Sequence, residues 1–160
     1  MTSLKFDGCA VVLQEVPTEV SLAFNITGCP HHCPGCHSPH LWEDVGEELL
    51  PELDRYLDNY EDLITCVCFM GGEHHPEEML LALQRVRWRG LKTCLYSGAD
   101  SAEGFASLLP WLDYLKIGHY DSELGGLDNP NTNQHMFRMV DGGRGYDITS
   151  SFWKNKRSLS

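Results

Sequence analysis

Between residues 25 and 37 the chain reads Asn-Ile-Thr-Gly-Cys-Pro-His-His-Cys-Pro-Gly-Cys-His. Cys29, Cys33 and Cys36 follow one another at spacings of four and three, with Gly28, Pro30, Pro34 and Gly35 among them. Proline lacks the amide that a helix or a central strand needs, so this stretch must run as a loop. A loop with three thiols in eight residues can fold round one small object. Soft thiolates select iron–sulfur clusters, zinc or copper(I). A four-iron, four-sulfur cluster has four corners, so three cysteines leave one iron open to a substrate. The alternative is a structural zinc site with His37 or His40 as fourth ligand. Such sites usually take two pairs of ligands from separated knuckles, which this spacing does not provide.

The other four cysteines, Cys9, Cys66, Cys68 and Cys94, stand apart in strand-like segments and read as small core residues. Cys66 and Cys68 share a strand face, which leaves a redox role open. Seven cysteines without an apolar leader at the N-terminus imply thiols or metal ligands rather than a disulfide framework, and a cytoplasmic location. The formal charge of -11 repels phosphate backbones and anionic headgroups, so neither nucleic acid nor a membrane is the expected partner. No apolar run approaches the ~20 residues that span a bilayer.

Apolar runs rich in β-branched residues predict strands at Ala10–Val16, Val20–Ile26, Ile64–Phe69, Lys92–Tyr96 and Tyr114–Ile117. Helical patterns lie between them. One follows Pro51 with Leu53, Leu57 and Tyr60 on a face. A second opens at Pro76 with Leu80, Leu83 and Val86 inward and Gly90 at its end. A third opens at Ser101, carrying Phe105, Leu108 and Leu109. The alternation predicts an α/β fold, a mainly parallel sheet covered by helices. Residues 1–150 form one domain, and residues 151–160 a basic tail bearing Phe152 and Trp153. From Glu43 to Asp62 there are nine acids and one base, Arg55, which read as a solvated helix face, while Arg85, Arg87 and Arg89 offer the opposite sign along one helix edge.

Ligands of parallel sheets sit at the carboxyl ends of the strands. There the sequence places the cysteine loop, Gly71-Gly72-Glu73, Ser97-Gly98 and His119-Tyr120. Paired glycines permit a tight turn and close approach to backbone, and Glu73 is an acceptor for an ammonium group. Ser97 suits either direct ligand contact or a local cap of its turn. Asn133, Gln134 and Arg138 face either a ligand or a partner.

The cysteine loop followed by Met70-Gly71-Gly72-Glu73 resembles the radical S-adenosylmethionine superfamily. The stretch from Ile26 to Trp42, the stretch Leu115-Lys-Ile-Gly-His-Tyr120, then Leu124-Gly-Gly-Leu127 and Thr132-Asn-Gln134 are similar to activating proteins of anaerobic (class III) ribonucleotide reductase. The likeness runs from about Val20 to Met139. Two positions depart from the superfamily pattern: His74 follows the acid where proline is common, and Gly35 stands where an aromatic residue often precedes the last cysteine.

The resemblance implies a small, incomplete parallel (β/α) barrel. It implies that Cys29, Cys33 and Cys36 hold three irons of a 4Fe-4S cluster and that S-adenosyl-L-methionine chelates the fourth. Gly35, Cys36, His37, Gly71, Gly72, Glu73 and Ser97 would line that ligand, Gly71 to Glu73 at its methionyl amine. The implied activity is reductive cleavage to a 5′-deoxyadenosyl radical, which installs a glycyl radical on the reductase. The implied partners are the glycyl-radical subunit of that reductase and a one-electron donor such as flavodoxin or ferredoxin. An activase of another glycyl-radical enzyme, a small-metabolite radical enzyme and a zinc-stabilised interaction module are the rival readings.

Replacing Cys29, Cys33 or Cys36 singly with alanine should therefore abolish cleavage of S-adenosylmethionine, whereas alanine at Cys9, Cys66, Cys68 or Cys94 should leave cluster assembly intact. Iron and sulfide analysis of anaerobically reconstituted variants checks this. A cluster that tolerates loss of Cys33 but not of Cys94 contradicts the assignment.

Overall fold

The computed structural model describes residues 4–13, 15–28, 46–119, 121, 123–140 and 144–152. The cysteine loop with Cys29, Cys33, Gly35, Cys36 and His37, together with Tyr120 and the tail from Trp153, lies outside these described residues.

The strands are β1 (Lys5–Val12), β2 (Ser21–Ile26), β3 (Glu47–Glu48), β4 (Cys66–Met70), β5 (Lys92–Tyr96), β6 (Tyr114–Ile117), β7 (His135–Val140) and β8 (Arg144–Asp147). They form one sheet in the order β3-β1-β2-β4-β5-β6-β7-β8. The centre, β2-β4-β5-β6, is parallel, as alternation of strand and helix requires. Both flanks are antiparallel: β3 and β1 on one side, β7 and β8 on the other. The fold is thus mixed α/β, and the mainly parallel expectation holds only for its centre.

The first strand is displaced from its predicted position. Gly8, at φ 89°, introduces an irregularity in the pairing between Phe6 and Cys9, so β1 begins at Lys5 and ends before Val16. Val16 is instead a buried turn residue, and Thr18 holds a left-handed conformation at φ 67°. The hairpin β7–β8 was not anticipated, although its link, Asp141-Gly142-Gly143, is ordinary hairpin chemistry.

Helix α1 (Leu49–Tyr60) takes Pro51 in its first turn, where no backbone bond is lost, and buries Leu49, Leu53 and Leu57. Helix α2 (Pro76–Trp88) starts on proline and ends before Gly90, which sits at φ 78°. Its buried stripe is Met79, Ala82, Leu83 and Val86. The third predicted helix is a pair of 3-10 turns over Glu103–Trp111, broken at Phe105 (φ -140°) and holding Pro110, yet it still buries Phe105 and Leu108. Arg89 bonds Asp58 and Glu61 at 2.8 and 2.9 Å and pairs with Asp54, so the acidic face of α1 is met by α2.

These helical side chains cover one sheet face, with Leu22, Phe24, Ile26, Val67, Phe69, Leu95 and Leu115. The opposite face carries Ala23, Cys66, Cys68, Cys94, Tyr114 and Met136 under Val16, Leu127, Ile148 and Phe152. Period-two alternation along each strand generates both faces. Among the described residues no helix is long and apolar enough to cross a membrane.

At the amino ends of the strands lies a buried carboxylate, Glu19. It accepts from Thr65 Oγ1 at 2.6 Å, Lys92 Nζ at 2.8 Å and the Tyr114 hydroxyl at 2.9 Å. Burial alone raises its pKa, but the bonds from Lys92, Thr65 and Tyr114 outweigh that and hold it below the usual glutamate range. A lowered native pKa gives stability that is full above the unfolded value, near 4.3, and lost as pH falls through the native one. Glu19→Gln should cost about 1–3 kcal/mol at neutral pH. It should also flatten the decline of stability at acid pH, as measured by urea unfolding across a pH series.

Candidate functional site

The parallel register aligns the last rows of four strands. Asn25 pairs with Met70, Met70 with Tyr96, and Tyr96 with Lys116. Just beyond this row come Thr27-Gly28, Gly71-Gly72-Glu73, Ser97-Gly98 and Gly118-His119, all on one edge. Gly28 is the residue immediately before Cys29.

Gly71 and Gly72 both lie at positive φ, 106° and 105°, which excludes most other residues. The Gly71 amide donates to the Tyr96 carbonyl at 2.8 Å, tying the turn to β5. A Cβ at Gly72 would run into the end of the Met79 side chain and come within 3.5 Å of Ile26. This glycine therefore serves the packing of α2 as well as the turn. The His75 amide donates to the Gly72 carbonyl at 3.1 Å, and His75 caps the start of α2. Glu73 is only 8% exposed, so a carboxylate is buried at the end of β4.

Ser97 is buried, and its Oγ accepts the Ala99 amide at 3.0 Å, which is the local capping arrangement. Its own amide donates to the Lys116 carbonyl at 2.8 Å. Lys116, which sequence reasoning had not singled out, is 8% exposed. Its ammonium donates to the carbonyls of Gly118 (2.8 Å) and Ser97 (3.1 Å), clamping the ends of β5 and β6 together. The same ammonium lies 6.0 Å from the Tyr96 ring centre. A lone lysine inside the apolar run Tyr114-Leu-Lys-Ile was the available signal.

His119 is held from two sides. Asp100 accepts from its backbone amide at 3.2 Å and lies 2.8 Å from Nδ1, while Asn133 Nδ2 donates to its carbonyl at 3.1 Å. Gln134 is buried with Nε2 donating to the Gly118 carbonyl at 3.4 Å. Asn133 and Gln134 thus belong to this edge. Arg138 does not: it pairs with Tyr114 at the amino end of β6, away from this edge, and is exposed.

The described cysteines are placed differently. Cys68 and Cys94 are register partners, and Cys66 lies two residues along β4 on the same face, all fully buried. Burial pushes the thiols of Cys66 and Cys94 well above their ordinary pKa, reinforced by the neighbouring Cys68, so both stay protonated. Among the described residues no group of three or more His, Cys, Asp or Glu is arranged to hold a metal ion.

Gly118 lies at φ 107°, and a Cβ there would come within 2.8 Å of the Asn133 carbonyl oxygen and 2.9 Å of Gln134 Cα. Backbone cannot swing aside as the Met79 side chain can. Gly118→Ala should thus cost more than ~2 kcal/mol, and Gly72→Ala about 1–2 kcal/mol from its φ alone. Denaturant titration of the two variants checks the order.

A family model described as "4Fe-4S single cluster domain" matches residues 19–128, a span that takes in β2 through β6 and all three loop cysteines. No curated protein and no solved structure matches the chain.

Proposed function

The chain belongs to the 4Fe-4S single cluster domain family, and on that premise we propose that it is a radical S-adenosylmethionine activase that installs a glycyl radical on anaerobic ribonucleotide reductase. The observation that carries the proposal is the shared edge. Gly28, next to Cys29, stands on the same side of the sheet as the Gly71-Gly72-Glu73 turn with its buried carboxylate. Cys29, Cys33 and Cys36 supply three thiolates, which suits a cluster with one open iron.

The residues present fit S-adenosylmethionine at that edge. Gly71, at positive φ and partly exposed, leaves the backbone open at the end of β4, while Gly72 seats the turn against Met79. Glu73 offers an acceptor for the methionyl ammonium, and its burial strengthens that bond by excluding water. Lys116 fixes the carbonyls of Ser97 and Gly118, so the neighbouring turns keep their shape when a ligand seats. Gly35 and His37 of the loop would meet the adenine end.

Held by Cys29, Cys33 and Cys36, a reduced cluster would supply the one electron needed for reductive cleavage of the sulfur–C5′ bond, with hydrogen then drawn from a glycine Cα. The chain's own part is orientation, exclusion of water and a docking surface. An open sheet edge suits a protein substrate, because the partner can complete the cover that a reactive radical requires. The one-electron donor is of the flavodoxin or ferredoxin class.

Mixed anaerobically with the reductase, S-adenosylmethionine and a one-electron donor, the chain should generate a glycyl doublet in electron paramagnetic resonance. Deuterium on the target glycine α-carbon should then appear in 5′-deoxyadenosine. Turnover of a small metabolite by the chain alone, with no glycyl signal, would overturn the activase reading and leave the iron–sulfur assignment standing.

A further inference from the structure

Beyond β6 the same edge continues into a cavity of about 320 Å³, where the segment before β7 meets the end of β8. It is lined by Thr132, Gln134, His135, Asp147, Thr149 and Ser150, besides one proline. We infer that this cavity receives the guanidinium of an arginine side chain presented by a protein partner.

The case rests on which hydrogen-bonding groups are left over. Asp147 Oδ1 accepts from Thr149 Oγ1 at 2.6 Å and from the Thr149 amide at 2.9 Å, and Thr149 Oγ1 accepts the Met136 amide at 2.9 Å. Thr132 Oγ1 donates to the Gly125 carbonyl at 2.9 Å and accepts the Gln134 amide at 3.0 Å. The donors of both hydroxyls are thus consumed internally. His135 Nδ1 lies 3.1 Å from Asp147 Oδ2. Gln134 spends Nε2 on the Gly118 carbonyl, which leaves its amide oxygen as an acceptor. The lining therefore offers acceptors: Asp147 Oδ2, which has one neighbour in His135, the Gln134 amide oxygen and the Ser150 hydroxyl.

Its charge has one sign. Asp147 is exposed, and bonds from Thr149 and His135 outweigh what desolvation it suffers and lower its pKa, so it stays ionised. The described lining includes neither lysine nor arginine. An anion is repelled, and a neutral amide brings too few donors. A guanidinium brings a positive charge and five N–H groups in a planar fork, which suits acceptors converging from two strands and a loop.

Position gives the cavity its role. Ile117 pairs with His135 and Phe137 with Asp147, so the cavity opens on the same sheet edge as Gly118. Gln134 joins the two places through its bond to the Gly118 carbonyl. A partner anchored here by an arginine lies across the edge proposed for chemistry; this link alone rests on the proposed function.

The test is a titration of the cluster-loaded, isotope-labelled chain with N-acetyl-arginine amide, followed by nuclear magnetic resonance. Shifts should centre on the Gln134 side chain and the Ser150 amide. The citrulline counterpart, of similar shape but uncharged, should bind about tenfold more weakly, and the lysine counterpart should also be weaker. Asp147→Asn should abolish the shifts. Should that change disturb β8, Ser150→Lys gives the same readout by placing a competing ammonium at an exposed rim position. Equal binding of citrulline, or shifts that survive Ser150→Lys, overturn the inference. In the activation assay Ser150→Lys should slow glycyl-radical formation at low reductase concentration and not at saturation. If the unmodified chain fails to cleave S-adenosylmethionine at all, the activase reading falls while the titration still decides the cavity.

Discussion

Three strands of the parallel centre are held at their amino ends by one carboxylate. Glu19, just before β2, takes hydrogen bonds from Thr65, which precedes β4, from Lys92 at the start of β5 and from Tyr114 at the start of β6. A slip of one residue in any of them would exchange its two faces and break that bond. Because the strands start level, they finish level, and Asn25, Met70, Tyr96 and Lys116 come out in a row. The turns that follow are adjacent for that reason. Lys116 repeats the device at the other end with opposite charge, its ammonium on two carbonyls where Glu19 places a carboxylate among donors.

Much of this architecture was legible in the sequence. β2, β4, β5 and β6 were recovered almost to the residue because strands buried on both faces read as continuous apolar runs. Pro51, Pro76 and Gly90 marked helix positions through constraints that tertiary packing does not override. Misses came where local signals compete with long-range ones. Gly8 moves β1 by an irregularity that shows only once β2 is its neighbour. The turns over residues 103–111 bury the predicted Phe105 and Leu108, but Pro110 and the break at Phe105 deny them an α-helix. β7 hides because His135 and Arg138 interrupt an otherwise apolar run, and β8, Arg-Gly-Tyr-Asp, carries no apolar alternation at all.

The site was legible as residue types and less so as roles. Gly71, Gly72 and Glu73 stand where the strand pattern puts them, yet Gly72 is also required by Met79, a contact no local reading reveals. Ser97 caps its own turn, and Asp100 holds His119 from nineteen residues away. Lys116 was passed over because a single lysine in a strand reads as edge exposure, whereas its ammonium has two carbonyls waiting in the fold. Among the described residues, the buried polar groups of this edge form a frame for the turns.

The sheet sends helices to one face and sulfur to the other, with Cys66, Cys68 and Cys94 sealed beneath Val16, Leu127 and Phe152. This arrangement bears on how the chain matures. Iron and sulfide are delivered to a polypeptide in which seven thiols compete for the same metal. Once the sheet has formed, Cys66 and Cys94 are neutral and shut away from solvent, hence poor at capturing ferrous iron. Folding thereby sorts the cysteines: Cys66, Cys68 and Cys94 drop out of the competition as the sheet closes over them.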